Sequence, residues 1–165
     1  PDSELLVKVT PVSSSADLKA GQLIDRVGLM LGLQFPCGAE LERIAMESTK
    51  KFQYRPVMKG MDCCLSGLEN QCRKMLDDGA NAPDTAKFCL TAVGKVLQEM
   101  TRMVHETYPD CPILYAGGVM ADKFIRQFLE NENTSFAEPQ FSCDNATGTA
   151  IYAGICMEGE KIWKS

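Results

Sequence analysis

Apolar positions recur at helical spacing through most of the chain, interrupted by short apolar runs. From about Leu18 to Leu33, residues Leu23, Ile24, Val27, Met30 and Leu31 fall on one face, with Asp17 or a neighbour as cap and Gly32 near the end. A turn at Gln34-Phe35-Pro36-Cys37-Gly38 precedes a second helix from about Ala39 to Lys50. The stretch from Lys51 to Cys64 contains Pro56 and Gly60 and lacks a helical period, so it reads as irregular or β. Ser66 as cap and Glu69 as its capping-box partner open a third helix, which stops at Asp78-Gly79. Asn81 and Pro83 open a long helix to about Thr107, with Cys89, Val93, Val96, Leu97, Met100 and Val104 as its stripe. Short strands are expected at Leu5–Val9, Ile113–Ala116 and about Phe136 to Ser142. A helix from about Ala121 to Asn131, and another of small residues from Asp144-Asn145 to near Met157, complete the pattern. Helix alternating with strand predicts an α/β fold with a mixed, partly parallel sheet flanked by helices. No repeat or linker divides it.

Composition narrows the class. With 165 residues, 45% hydrophobic and 24% charged, the chain is ordinary globular protein of one domain, or one lobe of something larger. The net charge of −5 gives no chain-wide basic footprint for nucleic acid. No apolar run reaches the length of a membrane span, and no membrane partner is expected; the cysteine usage reads as that of a cytoplasmic protein. Pro1-Asp2-Ser3-Glu4 carries neither an initiator Met nor signal-peptide character, and suggests a fragment, an excised domain or a processed product. The eight cysteines contain no Cys-x-x-Cys and read as reduced thiols, most of them buried.

Candidate chemistry gathers at strand-to-helix turns. Gly117-Gly118 follows a strand, where ligands of open α/β sheets bind and where the missing Cβ lets a flat ring or phosphate approach the backbone. Asp122, at the start of the next helix, is either an acceptor for a ribose hydroxyl or a surface residue complementing the helix dipole. Asp144 is either an N-cap or a hard oxygen ligand for a divalent cation. Asp25 lies opposite the Leu23/Val27/Leu31 stripe and reads as solvated. His105, the only histidine, sits in a last helical turn and has no partner for a catalytic dyad. Met100 and Met103 read as core or its flank.

The order of these segments carries a resemblance. Ala20-Gly21-Gln22-Leu23-Ile24-Asp25-Arg26-Val27-Gly28, Leu31-Gly32-Leu33 and Phe35-Pro36-Cys37-Gly38, then Leu65-Ser66-Gly67-Leu68, then Ala116-Gly117-Gly118-Val119-Met120-Ala121-Asp122, then Cys143-Asp144-Asn145-Ala146, follow one another as four motifs. Together they resemble the TsaD-like family of tRNA threonylcarbamoyladenosine synthesis proteins, also called O-sialoglycoprotein endopeptidases or glycoproteases, from about Asp17 to Gly154. The resemblance implies an actin/Hsp70/sugar-kinase (ribonuclease H-like) architecture of two lobes closing over ATP or a related adenine nucleotide and a divalent metal such as iron, zinc or magnesium. The whole chain, residues 1–165, would be most of the C-terminal lobe.

Carried over residue by residue, Asp25, Gly38, Gly117, Gly118 and Asp122 match nucleotide- or substrate-binding positions, and Asp144 matches a metal-ligating aspartate. No catalytic residue is assigned. The family's His-x-x-x-His pair and phosphate loop are not in the chain, Asp122 stands where the family usually has Asn, and Cys37 replaces the first glycine of a Pro-Gly-Gly. The implied function is acyl transfer of a threonylcarbamoyl group to tRNA, by the nucleotide- and metal-bound parent. The alternatives are a non-catalytic, nucleotide-sensing or scaffolding paralogue working with a homologous subunit or as a homodimer, and the metalloprotease of the older family name. Nucleotide and metal would both need the other lobe, and the chain alone is expected to catalyse nothing.

Overall fold

The computed structural model describes residues 9–138, residue 140 and residues 146–158. Six α-helices and four short strands are seen among them: α1 (Ala20–Met30), α2 (Gly38–Ala45), β1 (Met58–Lys59), β2 (Asp62–Cys63), α3 (Ser66–Asp77), α4 (Ala82–Thr107), β3 (Ile113–Tyr115), α5 (Lys123–Arg126), β4 (Thr134–Phe136) and α6 (Ala146–Glu158). A 3-10 turn, Gly118–Ala121, joins β3 to α5. The chain is α/β, with β1 and β2 an antiparallel hairpin and β3 parallel to β4 in the register Ile113–Thr134 to Tyr115–Phe136. No helix among the described residues is long and apolar enough to cross a membrane.

The core forms around α4. Asn81 Oδ1 accepts from the Asp84 N–H at 2.8 Å and Pro83 lies in the first turn, as its cap signals predict. Its buried Ala86, Cys89, Leu90, Val93 and Val96 meet Leu23, Ile24 and Val27 of α1, Leu41 and Ala45 of α2, and Leu68 and Cys72 of α3. α3 ends in a Schellman turn, Gly79 N–H to Leu76 C=O at 3.0 Å and Ala80 N–H to Met75 C=O at 2.9 Å. On the sheet side, Tyr115 stacks on Phe136 with ring centroids 5.0 Å apart, and the Arg126 guanidinium lies over Phe136 at 4.8 Å.

Several elements depart from the sequence reading. α2 stops at Ala45, short of Lys50, because Ser48 is drawn to α4. Its hydroxyl donates to Asp84 Oδ1 at 2.7 Å, and Lys87 Nζ donates to its carbonyl at 2.5 Å. Lys50 closes the same cluster on Asp84 Oδ2 at 2.6 Å. These bonds from Lys50 and Ser48 hold the Asp84 carboxyl below its ordinary range. The helix read from Ala121 to Asn131 is the 3-10 turn followed by the four residues of α5, and the last strand begins earlier, at Thr134. The strand at Leu5–Val9 and the Asp144 start of the last helix lie outside the described residues, except for Val9, which is not in a strand.

Capping is rearranged as well. Asp17 does not cap α1, whose N-cap is Lys19, and Ser66 is the first residue of α3 rather than its cap. Instead Asp17 reaches across the fold to the start of α3. Its Oδ1 accepts from Leu18 N–H at 2.6 Å and Leu65 N–H at 2.8 Å; its Oδ2 accepts from the Ser66 hydroxyl at 2.6 Å and the Ser66 N–H at 3.2 Å. Glu69, freed of a capping box, pairs with Arg26 of α1 at 2.9 Å. Desolvation is the largest single influence on Asp17 and pushes its pKa up, but the Ser66, Leu65 and Leu18 donors together outweigh it and hold the carboxyl well below the usual range.

Because the folded pKa is depressed, the stabilisation by Asp17 is present above pH ~4 and fades as pH falls below that value. Asp17→Ala is therefore expected to cost about 1–2 kcal/mol at pH 7, and less at pH 3, in urea unfolding. An equal cost at both values would mean the carboxylate charge is not what α3 uses.

Candidate functional site

One side of α1 joins the two glycine-bearing turns. Gly21, Ile24, Asp25 and Gly28 follow one another at helical spacing. A Cβ placed on Gly21 would lie 3.6 Å from Val119 in the 3-10 turn, and one on Gly38 would lie 4.0 Å from Ile24. Asp25 Oδ1 accepts from the Cys37 N–H at 2.9 Å, fastening α1 to the N-terminus of α2. The structure thus brings Asp25 and Gly38 together and sets the turn after β3 against the start of the same helix. Asp25 is half-buried and engaged rather than merely solvated.

Gly117 has φ +106°, a backbone conformation closed to most side chains, and it lets the chain leave β3 and enter the 3-10 turn. Among the described residues, apart from the chain neighbours, no atom lies within 4 Å of a Cβ built on Gly117 or on Gly118. The space beside this backbone is open among the described residues.

Asp122 faces elsewhere. It is only 8% exposed, and its Oδ1 caps α5 by accepting from Ile125 N–H at 2.8 Å. Its Oδ2 is buried without a hydrogen-bond partner among the described residues. Burial first, with the Glu42 carboxylate adding to it, pushes its pKa up to about 6 against the Ile125 and Phe124 N–H groups. This is a structural carboxylate turned inward, so a ribose contact and a surface dipole role both give way to an internal cap. Glu42 of α2 completes that cap, accepting from Lys123 N–H at 2.9 Å and Phe124 N–H at 3.2 Å. Glu42 escaped the sequence reading because its helix position says nothing about which distant amides it will meet.

Several of the thiols are buried. Cys37, Cys63, Cys72 and Cys89 are buried, Cys111 and Cys156 are exposed, and none of the described cysteines is in a disulfide. Burial and the Asp25 carboxylate push the Cys37 thiol up, and the neighbouring Cys72 thiol and burial push Cys89 up, so both stay protonated. His105 takes its place in the last turn of α4, with Nε2 3.2 Å from Asn133 Nδ2. It lines a pocket of about 250 Å³ with Gln98, Thr101 and Asn131, which shares no residue with the Asp25–Gly38 face.

Among the described residues no group of three or more His, Cys, Asp or Glu side chains could hold a metal ion. Asp144, the expected ligand, lies outside the described residues.

Comparison with known proteins matches most of the sequence to one family of tRNA-modifying enzymes. The family described as TsaD, tRNA N6-adenosine threonylcarbamoyltransferase, matches residues 5–151. The chain belongs to the TsaD family. A tRNA N6-adenosine threonylcarbamoyltransferase of Archaeoglobus fulgidus is 27% identical over 147 residues, covering 86% of this chain and 45% of that protein. One from Streptococcus pneumoniae is 26% identical over 156 residues, covering 87% of this chain and 46% of that protein. A probable bifunctional tRNA threonylcarbamoyladenosine biosynthesis protein of Thermoplasma acidophilum is 29% identical over 121 residues, 73% of this chain and 23% of its own length. The chain therefore spans about half the length, or less, of the curated relatives it matches.

Proposed function

We propose that this chain is the nucleotide-facing lobe of a protein that transfers a threonylcarbamoyl group to an adenosine amine of tRNA. The observation that carries the reading is the family match across residues 5–151, the span that holds the joined Asp25–Gly38 turn and the open Gly117-Gly118 turn. In that reaction the adenine N6 amine attacks the carbamoyl carbonyl of an activated adenylate, the new N–C bond forms, AMP leaves with the pair of electrons from the broken C–O bond, and the amine proton passes to water. What this chain supplies is position: a backbone without Cβ atoms beside the adenylate, and a turn held rigid by Asp25. Asp122 and Glu42 act one step removed, by fixing α5 behind that turn.

On this reading the fold is an actin-like lobe, residues 1–165 being most of the C-terminal half of a two-lobed protein, and the nucleotide is ATP or a related adenine nucleotide. Asp144 is the candidate carboxylate for a divalent cation, and its co-ligands would come from beyond the described residues. No step is routed through that cation. The setting is cytoplasmic, and partner subunits accompany the tRNA.

The test uses the full-length protein, with nucleotide affinity read by calorimetry and modified adenosine read by mass spectrometry of digested tRNA. Gly118→Val is expected to weaken nucleotide binding at least tenfold, by filling the space beside the backbone, while leaving the thermal midpoint within a few degrees. Asp144→Ala is expected to remove whatever part of the binding depends on added divalent metal. A protein that binds no adenine nucleotide and forms no product would refute the enzymatic reading in favour of a scaffolding paralogue.

A further inference from the structure

Although the whole chain is acidic, the segment between Ser48 and Met61 carries four basic residues, Lys50, Lys51, Arg55 and Lys59, and no acidic one. Outside the β1–β2 hairpin this segment belongs to no helix or sheet, yet its exposure alternates residue by residue from Lys51 to Lys59. That period of two belongs to an extended chain with one face held down. Phe52 and Tyr54 supply the hold, meeting Phe88 of α4 edge-on at centroid distances of 5.8 and 6.1 Å. Tyr54 and Met58 pack against the core, and Val57 C=O accepts from Cys64 N–H at 3.0 Å.

The opposite face is Lys51, Gln53, Arg55, Val57 and Lys59, all exposed. Lys50 is neutralised by Asp84, but Lys51, Arg55 and Lys59 form no salt bridge among the described residues. The result is a row of donors on a backbone pinned by aromatic side chains, with one carboxylate, Asp62, opposite Lys59 in the hairpin register.

We propose that the exposed edge from Lys51 to Lys59 is an RNA-backbone contact surface. Alternate residues of an extended chain are about 6.6 Å apart, so Lys51, Gln53 and Arg55 present donors at a spacing close to that of successive phosphates on one strand. The aromatic rings between them are turned inward and cannot stack on bases. The contact therefore positions RNA without reading its sequence, through charge and hydrogen bonds to phosphate. An acidic protein surface would meet the same charges but would not require donors in one line at this repeat. The inference rests on the tRNA reading above, and it places part of the basic surface within this acidic chain.

The experiment measures binding of an unmodified tRNA transcript to the full-length protein by fluorescence anisotropy across a salt series. K51Q/R55Q/K59Q is compared with K19Q/K74Q/K95Q, which removes the same charge elsewhere. The edge variant is expected to lose roughly tenfold or more in affinity at moderate salt, and to lower the slope of log affinity against log salt by about 2, with an unchanged thermal midpoint. The control variant should lose much less.

Equal losses in the two variants, or none in the edge variant, would overturn the proposal while leaving the tRNA reading intact. Absence of tRNA binding by the unaltered protein would overturn both. A second arm titrates polyglutamate; an edge variant that loses polyglutamate but keeps tRNA would assign the surface to an acidic protein instead and refute the RNA contact.

Discussion

Gly28→Ala is expected to destabilise the protein by about 2–3 kcal/mol, and adding Cys37→Gly to recover most of that loss. A Cβ on Gly28 would stand 2.3 Å from Cys37 Cβ and 2.7 Å from its Sγ. Carbon atoms in good contact sit about 3.5–4.0 Å apart, so the methyl group has no room. Cys37 Cβ is fixed by its backbone, and the residue is fully buried, so no rotamer relieves the clash. Either α1 or the turn before α2 must shift, and the 2.9 Å bond from Cys37 N–H to Asp25 shifts with it.

Alanine's better helix propensity returns about 1 kcal/mol at most, which is less than the overlap costs. Deleting the Cys37 side chain opens the space that the new methyl needs, at the expense of one buried thiol. Urea unfolding of the four proteins in the cycle reads the coupling directly. If Gly28→Ala is as stable as the parent, or if Cys37→Gly fails to rescue it, the close approach of these two residues is not what holds the turn. On the functional reading, Gly28→Ala should also weaken nucleotide binding, and the double variant should restore it.

Asp122→Asn should do the opposite and raise stability at pH 7 by about 2 kcal/mol. The folded protein holds the Asp122 proton more tightly than an unfolded chain does, since its pKa rises from an ordinary 3.8 to about 6. Between those values the native state binds more protons, so stability falls as pH rises; above about pH 6 the full penalty is in place. At 1.36 kcal/mol per pKa unit that penalty is about 3 kcal/mol. Asparagine keeps the N-cap to Ile125 and carries no charge to bury, but its amide must find an acceptor where Oδ2 has no partner, which trims the gain.

The groups facing this carboxylate are Glu42 from α2, the Ile125 and Phe124 amides from α5, and the Cys89 thiol from α4. Urea unfolding at pH 7 and pH 4 separates the causes, because the advantage of asparagine should nearly vanish at pH 4. An advantage that persisted there would point to packing instead of ionisation.

Local signals read well wherever the physics is local. The cap at Asn81 and Pro83, the apolar stripe of α4 and the Asp78-Gly79 stop of α3 depend on neighbours within a turn or two, and all three appear in the structure where the pattern places them. The alternation of inward Phe52, Tyr54 and Met58 with outward Lys51, Arg55 and Lys59 was equally legible as a period of two. It was obscured by Pro56 and Gly60, which pointed to loop.

Carboxylates were misjudged for a common reason. Asp17, Asp25, Glu42 and Asp122 each accept from amides, but the pattern around a carboxylate does not say which amides will be brought to it. Asp17 serves a helix that begins 49 residues later in the chain. Asp25 looked solvated because it lies off the apolar stripe, and only the return of the chain through the Phe35–Gly38 turn gave it a donor.

By itself the sequence determined the class of fold, the axis of its core and the family, because periodicity, caps and motif order are properties of short stretches. Tertiary structure alone decided that Gly28 must lack a side chain and that Asp122 turns inward. It alone decided, too, that Lys51, Arg55 and Lys59 are left without a salt bridge among the described residues. Those outcomes depend on contacts between segments far apart in the chain, and they arise only when α1, α2, α4 and α5 close around a shared core.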